Sequence, residues 1–257
     1  MTPRKKLLAA NWKMNLERKD VSIYFDQFAK NYDPSEKVDL LFAGSYLLLE
    51  TMICTMPKGL SADNVRVAAQ NVHFEGHGAF TGEISWLMLA EVGVAEAIIG
   101  HSERRQFFGE TDETIAKKMQ TAKRLQKRSI LCVGENLNQR KAGQTFDVLI
   151  KQLHSNLSLV TDLNDIVIAY EPVWAIGTGL SASPEQAQEV HSMIREELKT
   201  NFNQDAADSI LILYGGSMNL ANVGELCSQK DIDGGLVGGA SLKPLEFQKM
   251  YAAVAEL

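Results

Sequence analysis

"LLAANWKMN" (residues 7–15) is an apolar run that ends in Asn11, Trp12 and Lys13 without a glycine. That ending separates two architectures. The first strand of an open, doubly wound α/β sheet ordinarily runs into a glycine-rich turn that cradles a nucleotide phosphate. Here the strand delivers a carboxamide and an ammonium group instead, so the doubly wound sheet becomes the second choice.

Working outward, seven more runs of the same kind follow. They are "VDLLFA" (38–43), "VRVAAQ" (65–70), "AEAIIG" (95–100), "SILCVG" (129–134), "DIVIAY" (165–170), "SILILY" (209–214) and "GGLVGG" (234–239). Each is continuous and not alternating, the pattern of parallel strands buried on both faces. Stretches of helical composition separate them. "SPEQAQEVHSMIREELK" (183–199) has Ser183 to cap it, Pro184 for the first turn and Gln186 to close a capping box. "DETIAKKMQTAKRLQKR" (112–128) carries acids at its start and bases at its end, as a helix dipole favours. Eight strands alternating with helices predict an α/β fold, a single eight-stranded parallel β/α barrel, with residues 1–257 as one catalytic domain.

The charge balance is mixed along the chain, with a net charge of −6, which speaks against a nucleic-acid partner. A locally positive site for an anion remains open. Cys54, Cys132 and Cys227 are odd in number and far apart, so they imply neither a disulfide framework nor a metal motif. The N-terminal apolar run "LLAA" is too short for a signal-peptide core, and no stretch reaches the roughly 20 apolar residues of a membrane helix. A reducing, cytoplasmic compartment is expected.

In a β/α barrel the chemistry sits on the loops that follow the strands. Read together, those positions hold Asn11 and Lys13, then His101 and Glu103 in "GHSERRQ", then Glu171, then "YGGS" (214–217) and "VGGAS" (237–241). Gly215, Gly216, Gly238 and Gly239 leave backbone N–H groups open to a ligand, and turns after strands 7 and 8 commonly hold phosphate. Glu171 is the candidate base, and His101 and Lys13 are candidates to polarise a carbonyl. A base and electrophiles beside a phosphate site suggest proton abstraction next to a carbonyl of a small phosphosugar. Two other readings stay open. One is an aldolase-like barrel with Lys13 as Schiff-base amine. The other is a catalytically silent phosphate-binding or scaffold protein.

"NWKMN" (11–15), "AQNVHFEGHGAFTGEIS" (69–85), "IIGHSERRQFFGE" (98–110), "AYEPVWAIGTG" (169–179), "LYGGS" (213–217) and "LVGGASL" (236–242) resemble the signature segments of the triosephosphate isomerase family, in the right order and across nearly the whole chain. The resemblance implies a barrel that interconverts dihydroxyacetone phosphate and glyceraldehyde 3-phosphate without a cofactor or metal. It implies that Glu171 moves the proton and that neutral His101 polarises the carbonyl. Lys13 and Asn11 hold the oxygen side, and Glu103 stands behind Lys13. Phosphate falls to Asn11, Lys13, Gly177, Ser217, Gly238 and Gly239. The lid would comprise Pro172, Val173 and Trp174 as a stiff hinge, Ala175 and Ile176 as the tip, Gly177 donating its N–H to phosphate, and Thr178, Gly179 and Leu180 as the second hinge. The loop "FEGHGAFTGE" (74–83) is implied to insert into a second subunit, with Thr81 reaching Asn11 and His101 of the partner subunit of a homodimer. Base, neutral histidine and closing loop of this family are a standard worked case in enzymology. Nearby Lys13 and the start of the helix at "SERR" are both expected to push the His101 pKa down.

The chain departs from the family pattern at "AGSYL" (43–47), at Met218, Asn219 and Leu220, and at Gly235, where alanine is expected and its absence should slightly loosen strand 8. Arg104 and Arg105 read as structural ion-pairing groups, and Cys132 as packing. His73, His77, His154 and His191 lack a metal spacing and read as surface or packing residues. Trp12, Trp86 and Trp174 read as core, interface and hinge.

Overall fold

A computed structural model describes residues 4–57, 60, 64–175 and 182–257. Its strands are β1 (Lys6–Asn11), β2 (Val38–Gly44), β3 (Val65–Ala69), β4 (Glu96–Ile99), β5 (Arg128–Val133), β6 (Ile166–Tyr170), β7 (Leu211–Tyr214) and β8 (Gly234–Val237). They form a closed barrel in chain order, every neighbouring pair parallel, with β1 paired to β8. The expected barrel is therefore what forms, and the doubly wound alternative falls.

The continuous apolar runs are explained by two separate cores. Leu7, Ala9, Leu41, Ala43, Ile98, Ile130, Val167, Ala169, Leu213 and Leu236 fill the barrel interior. Their strand neighbours Leu8, Ala10, Leu40, Phe42, Ile99, Leu131, Ile168, Ile212 and Val237 face the surrounding helices. A strand buried on both faces has no polar position to alternate with. Aromatic rings seal one side of the outer layer: Trp12, Tyr24, Phe25 and Phe42 meet at centroid distances of 4.8 to 6.0 Å. Trp86 is also within the core, 1% exposed, which corrects its reading as an interface residue. Its position just after the cap Ser85 points it inward.

Closure of the barrel depends on Gly234. It adopts φ +135°, and a Cβ there would collide with the Leu7 backbone, 2.7 Å from its carbonyl carbon. Only glycine allows β8 to approach β1 this closely.

The helix Pro184–Asn201 has the expected capping box. Ser183 Oγ accepts from Gln186 N–H at 3.2 Å, and the Gln186 side chain accepts from Ser183 N–H at 3.1 Å. The other predicted helix is shorter than its composition suggests, ending at Arg124 and not residue 128. Gln126 turns into the left-handed region at φ 52°, which frees Arg128 to start β5. Helical propensity yields there to strand pairing, because Arg128 pairs with Glu96 on β4.

Candidate active site

The C-terminal ends of the strands bring the distant sequence candidates into one cleft of about 360 Å³. Its walls include Asn11, Lys13, His101, Glu171, the turn at Gly215 to Asn219, and Gly238 to Ala240.

Lys13 stands on strained backbone, with φ 53°. Such a conformation is uncommon outside glycine and persists only where neighbours enforce it. Here Asn11 Oδ1 accepts the Lys13 N–H at 3.0 Å, and Gln70 Nε2 donates to the Lys13 carbonyl at 2.9 Å. The same Gln70 amide donates to Ala43 at 2.9 Å, so β2 and the loop after β1 share one clamp. Gln70 was not among the sequence candidates; its only signal was its place at the end of "VRVAAQ". The clamp projects the Lys13 ammonium onto Glu103 Oε1 at 2.7 Å.

His101 is the N-cap of the helix Ser102–Phe108. Its Nδ1 accepts the Glu103 N–H at 3.2 Å, which requires a lone pair there and places the ring proton on Nε2. Nε2 faces Glu171 Oε1 at 3.0 Å. The second carboxylate oxygen, Oε2, accepts the Ser102 N–H at 2.8 Å. Glu171 is 2% exposed. It lies close against two glycines. A Cβ at Gly134 would collide with the Glu171 backbone, and one at Gly215 would stand 2.9 Å from its Cγ.

Burial works against the charge on Glu171, but His101, the Ser102 N–H and Lys13 outweigh it and hold its pKa below the ordinary value. For His101 the expected direction is overturned. Burial does push its pKa down, and Lys13 adds to that, but the charge and hydrogen bond of Glu171 outweigh both and the net shift is upward. The reason is proximity: the carboxylate rests on the imidazole, whereas the expectation weighed only Lys13 and the helix start. Cys132 is fully buried, and its pKa is pushed well up by burial and then by the Glu171 charge. That makes it a packing residue and a poor nucleophile.

The hinge is tied down on both sides. Val173–Ala175 form a single 3-10 turn. Trp174 Nε1 donates to Glu135 Oε1 at 2.9 Å, and the same oxygen accepts from Tyr170 OH at 3.2 Å. Glu135 is completely buried. It was passed over in the sequence, where nothing but its position after β5 marked it. On the other side Ser217 Oγ donates to the Ala175 carbonyl at 2.7 Å. Ile176, Gly177, Thr178, Gly179 and Leu180 lie outside the described residues.

Of the remaining candidates, Gly238 and Gly239 line the same cleft and Thr81 does not. Gly238 lies against Lys13, and a Cβ at Gly239 would meet open space, next to a four-residue 3-10 turn, Gly239–Leu242. Thr81 is exposed on its loop and is not among the cleft's lining residues. Arg105 is structural, donating to the Gly100 and Cys132 carbonyls and pairing with Asp112 at 2.6 Å. His191 is buried and His154 pairs with Glu197 at 2.6 Å. Among the described residues no group of His, Cys, Asp and Glu is placed to hold a metal ion, and no helix is long and apolar enough to cross a membrane.

With this geometry in hand, a family model described as triosephosphate isomerase matches residues 6–254. The chain belongs to the triosephosphate isomerase family. A relative named triosephosphate isomerase from Acetivibrio thermocellus is 46% identical over 96% of this chain and 97% of its own length. One of the same name from Citrifermentans bemidjiense is 44% identical over 95% of this chain and 96% of its own. A chloroplastic triosephosphate isomerase from Secale cereale is 45% identical over 96% of this chain and 81% of its own.

Proposed function

We propose that this chain is an isomerase that interconverts dihydroxyacetone phosphate and D-glyceraldehyde 3-phosphate in glycolysis and gluconeogenesis, by proton transfer through an enediolate. The observation that carries this reading is the meeting of Glu171, His101 and Lys13 in one cleft beside two glycine-rich turns, in a chain of this family.

Glu171 takes a proton from one substrate carbon and returns it to the next. To do so its carboxylate turns away from the Ser102 N–H and from His101. Once it leaves, the larger influence that raises the His101 pKa leaves with it, and only the weaker one of Glu103 stays. Burial and Lys13 then favour a neutral ring, whose Nε2–H donates to the developing oxyanion. Asn11 and Lys13 hold the oxygen side and supply positive potential, while Glu103 keeps the Lys13 ammonium in place. Ser217, Gly238 and Gly239, with Asn11, Lys13 and Gly177, receive the phosphate. Pro172, Val173, Trp174 and Ala175 act as the hinge side of a lid that continues through Ile176, Thr178 and Gly179 and excludes water from the enediolate. No cofactor is required by these steps. A Schiff-base role suits Lys13 less well, since its side chain is 27% exposed and paired with a carboxylate.

A coupled isomerisation assay on the purified chain tests the reading. Turnover of both trioses supports it, and an inactive chain that still binds phosphate sinks it in favour of the scaffold alternative. Borohydride trapping with substrate should leave no adduct on Lys13; an adduct would move the assignment to an aldolase.

The same reading includes a homodimer of single-domain chains, 1–257, acting in the cytoplasm. Phe80 is 42% exposed beside Thr81, and Met14 is 95% exposed next to Lys13. A second groove, lined by Met14, Tyr46 and Phe108, opens beside Asn11, Lys13 and His101. Exposed apolar groups of this size favour association, and Thr81 would enter that groove of a partner subunit. Sedimentation at assay concentration should give a dimer. A fully active monomer would refute it.

A further inference from the structure

Two departures from the family pattern, Met218 and Gly235, are far apart in sequence but form one contact. Gly235 sits on β8 directly opposite Tyr214 of β7. A Cβ on Gly235 would clash with the thioether sulfur of Met218 and stand 2.8 Å from its methyl carbon. The space that a side chain at 235 would occupy is thus filled by the end of the Met218 side chain. Met218 is 5% exposed, joins the core between barrel and helices, and lines the catalytic cleft.

The turn that Met218 anchors is the one that begins with Ser217. Its own ties are local: Asn222 Nδ2 donates to the Ser217 carbonyl at 3.1 Å, and Asn222 Oδ1 accepts the Asn219 N–H at 2.9 Å. From this turn Ser217 Oγ reaches the Ala175 carbonyl at 2.7 Å. The strand ladder beneath supports the turn on one side: β7 pairs with β6 up to Tyr214, and Gly215 N–H donates to the Tyr170 carbonyl at 2.7 Å. Among the described residues Tyr214 and Gly235 are the only register pair between β7 and β8. On the β8 side, contact of the turn with the barrel therefore comes through the Met218 side chain. The end of β2 is built the same way: a Cβ on Gly44 would stand 2.5 Å from the Met52 sulfur.

We propose that Met218, seated in the notch left by Gly235, is a positioning residue that sets the place of the Ser217 turn and through it links phosphate binding to the lid hinge at Ala175. The proposal rests on the phosphate-binding reading of this cleft. Methionine suits the task, because its unbranched, polarizable end fills irregular space. A methyl group at position 235 overpacks the notch and forces the Met218 end towards the cleft.

The probe is inorganic phosphate, followed in two ways. In the native chain labelled with ¹³C-methyl methionine, phosphate binding should shift the Met218 methyl resonance, assigned by its loss in Met218→Val. In Gly235→Ala the inhibition constant for phosphate and the KM should rise roughly tenfold, with kcat changed much less. Adding Met218→Val to Gly235→Ala vacates the notch and should recover most of the loss, a coupling that independent sites do not give. Thermal melting separates these effects from general instability. If phosphate binds but the Met218 methyl is unmoved, or Gly235→Ala binds phosphate normally, the inference fails while the reading of the cleft stands. If the native chain binds no phosphate, both fail.

Discussion

Replacing Glu171 with Gln tests the centre of the site with almost no change in volume. In the native chain Oε2 accepts the Ser102 N–H at 2.8 Å and Oε1 faces His101 Nε2 at 3.0 Å. An amide has one acceptor oxygen. If that oxygen stays on Ser102, the NH2 group faces the ring and needs an acceptor at Nε2. But Nδ1 already accepts from Glu103 N–H at 3.2 Å, and a neutral imidazole has only one acceptor nitrogen. One contact must fail, at a cost of about 1–3 kcal/mol for a buried polar group left unmet. Turnover should fall further, by about 10²–10⁴-fold for loss of a general base, or roughly 3–5 kcal/mol on the barrier. Phosphate inhibition should stay near the native value, because phosphate is assigned to other groups. The His101 pKa should move as well. The carboxylate that raises it is gone, while burial and Lys13 remain, so the ring should titrate lower than in the native chain. Steady-state coupled kinetics, phosphate inhibition and ¹⁵N NMR of the histidine ring between pH 5 and 9 give the three readouts. A turnover within about tenfold of native, below the range for a general base, would refute the assignment. A His101 pKa that does not fall would refute the electrostatic argument.

Three further outcomes are expected. Lys13→Met should weaken phosphate inhibition and lower kcat/KM by about 10- to 10²-fold, since a charged hydrogen bond of roughly 1.5–3 kcal/mol is removed; unchanged kcat/KM would remove Lys13 from the site. Gly234→Ala should destabilise by about 3 kcal/mol or more or fail to fold, because φ +135° and the clash with Leu7 combine; a native melting temperature would contradict that. Burial pushes the His191 pKa down to about 3, so its contribution to stability is present above the unfolded value near 6.5 and is lost as pH falls towards 3. Acid unfolding below pH 6 should therefore be blunted in His191→Gln by up to ~1.4 kcal/mol per pH unit, and identical acid midpoints would count against it.

The sequence alone carried the architecture, because burial on both faces of a strand and the periodicity of helices are local patterns. Eight continuous apolar runs between helical stretches, with no glycine-rich turn after the first, point to a barrel, and chemistry-bearing residues at run ends then place Asn11, Lys13, His101 and Glu171 on one face. Three-dimensional proximity decided the rest. Gln70 and Glu135 each act on a residue tens of positions away, Lys13 and Trp174, so no window of sequence displays their use. The shift of the His101 pKa depends on the rotamer of Glu171, which sets whether an anion lies 3.0 Å away or farther. Electrostatic work between two charges scales inversely with separation, and sequence order does not encode that distance. Gly235 read as a weak point in β8 for the same reason. Only packing brings the Met218 side chain into the volume that its missing Cβ leaves, turning two unrelated departures into one contact.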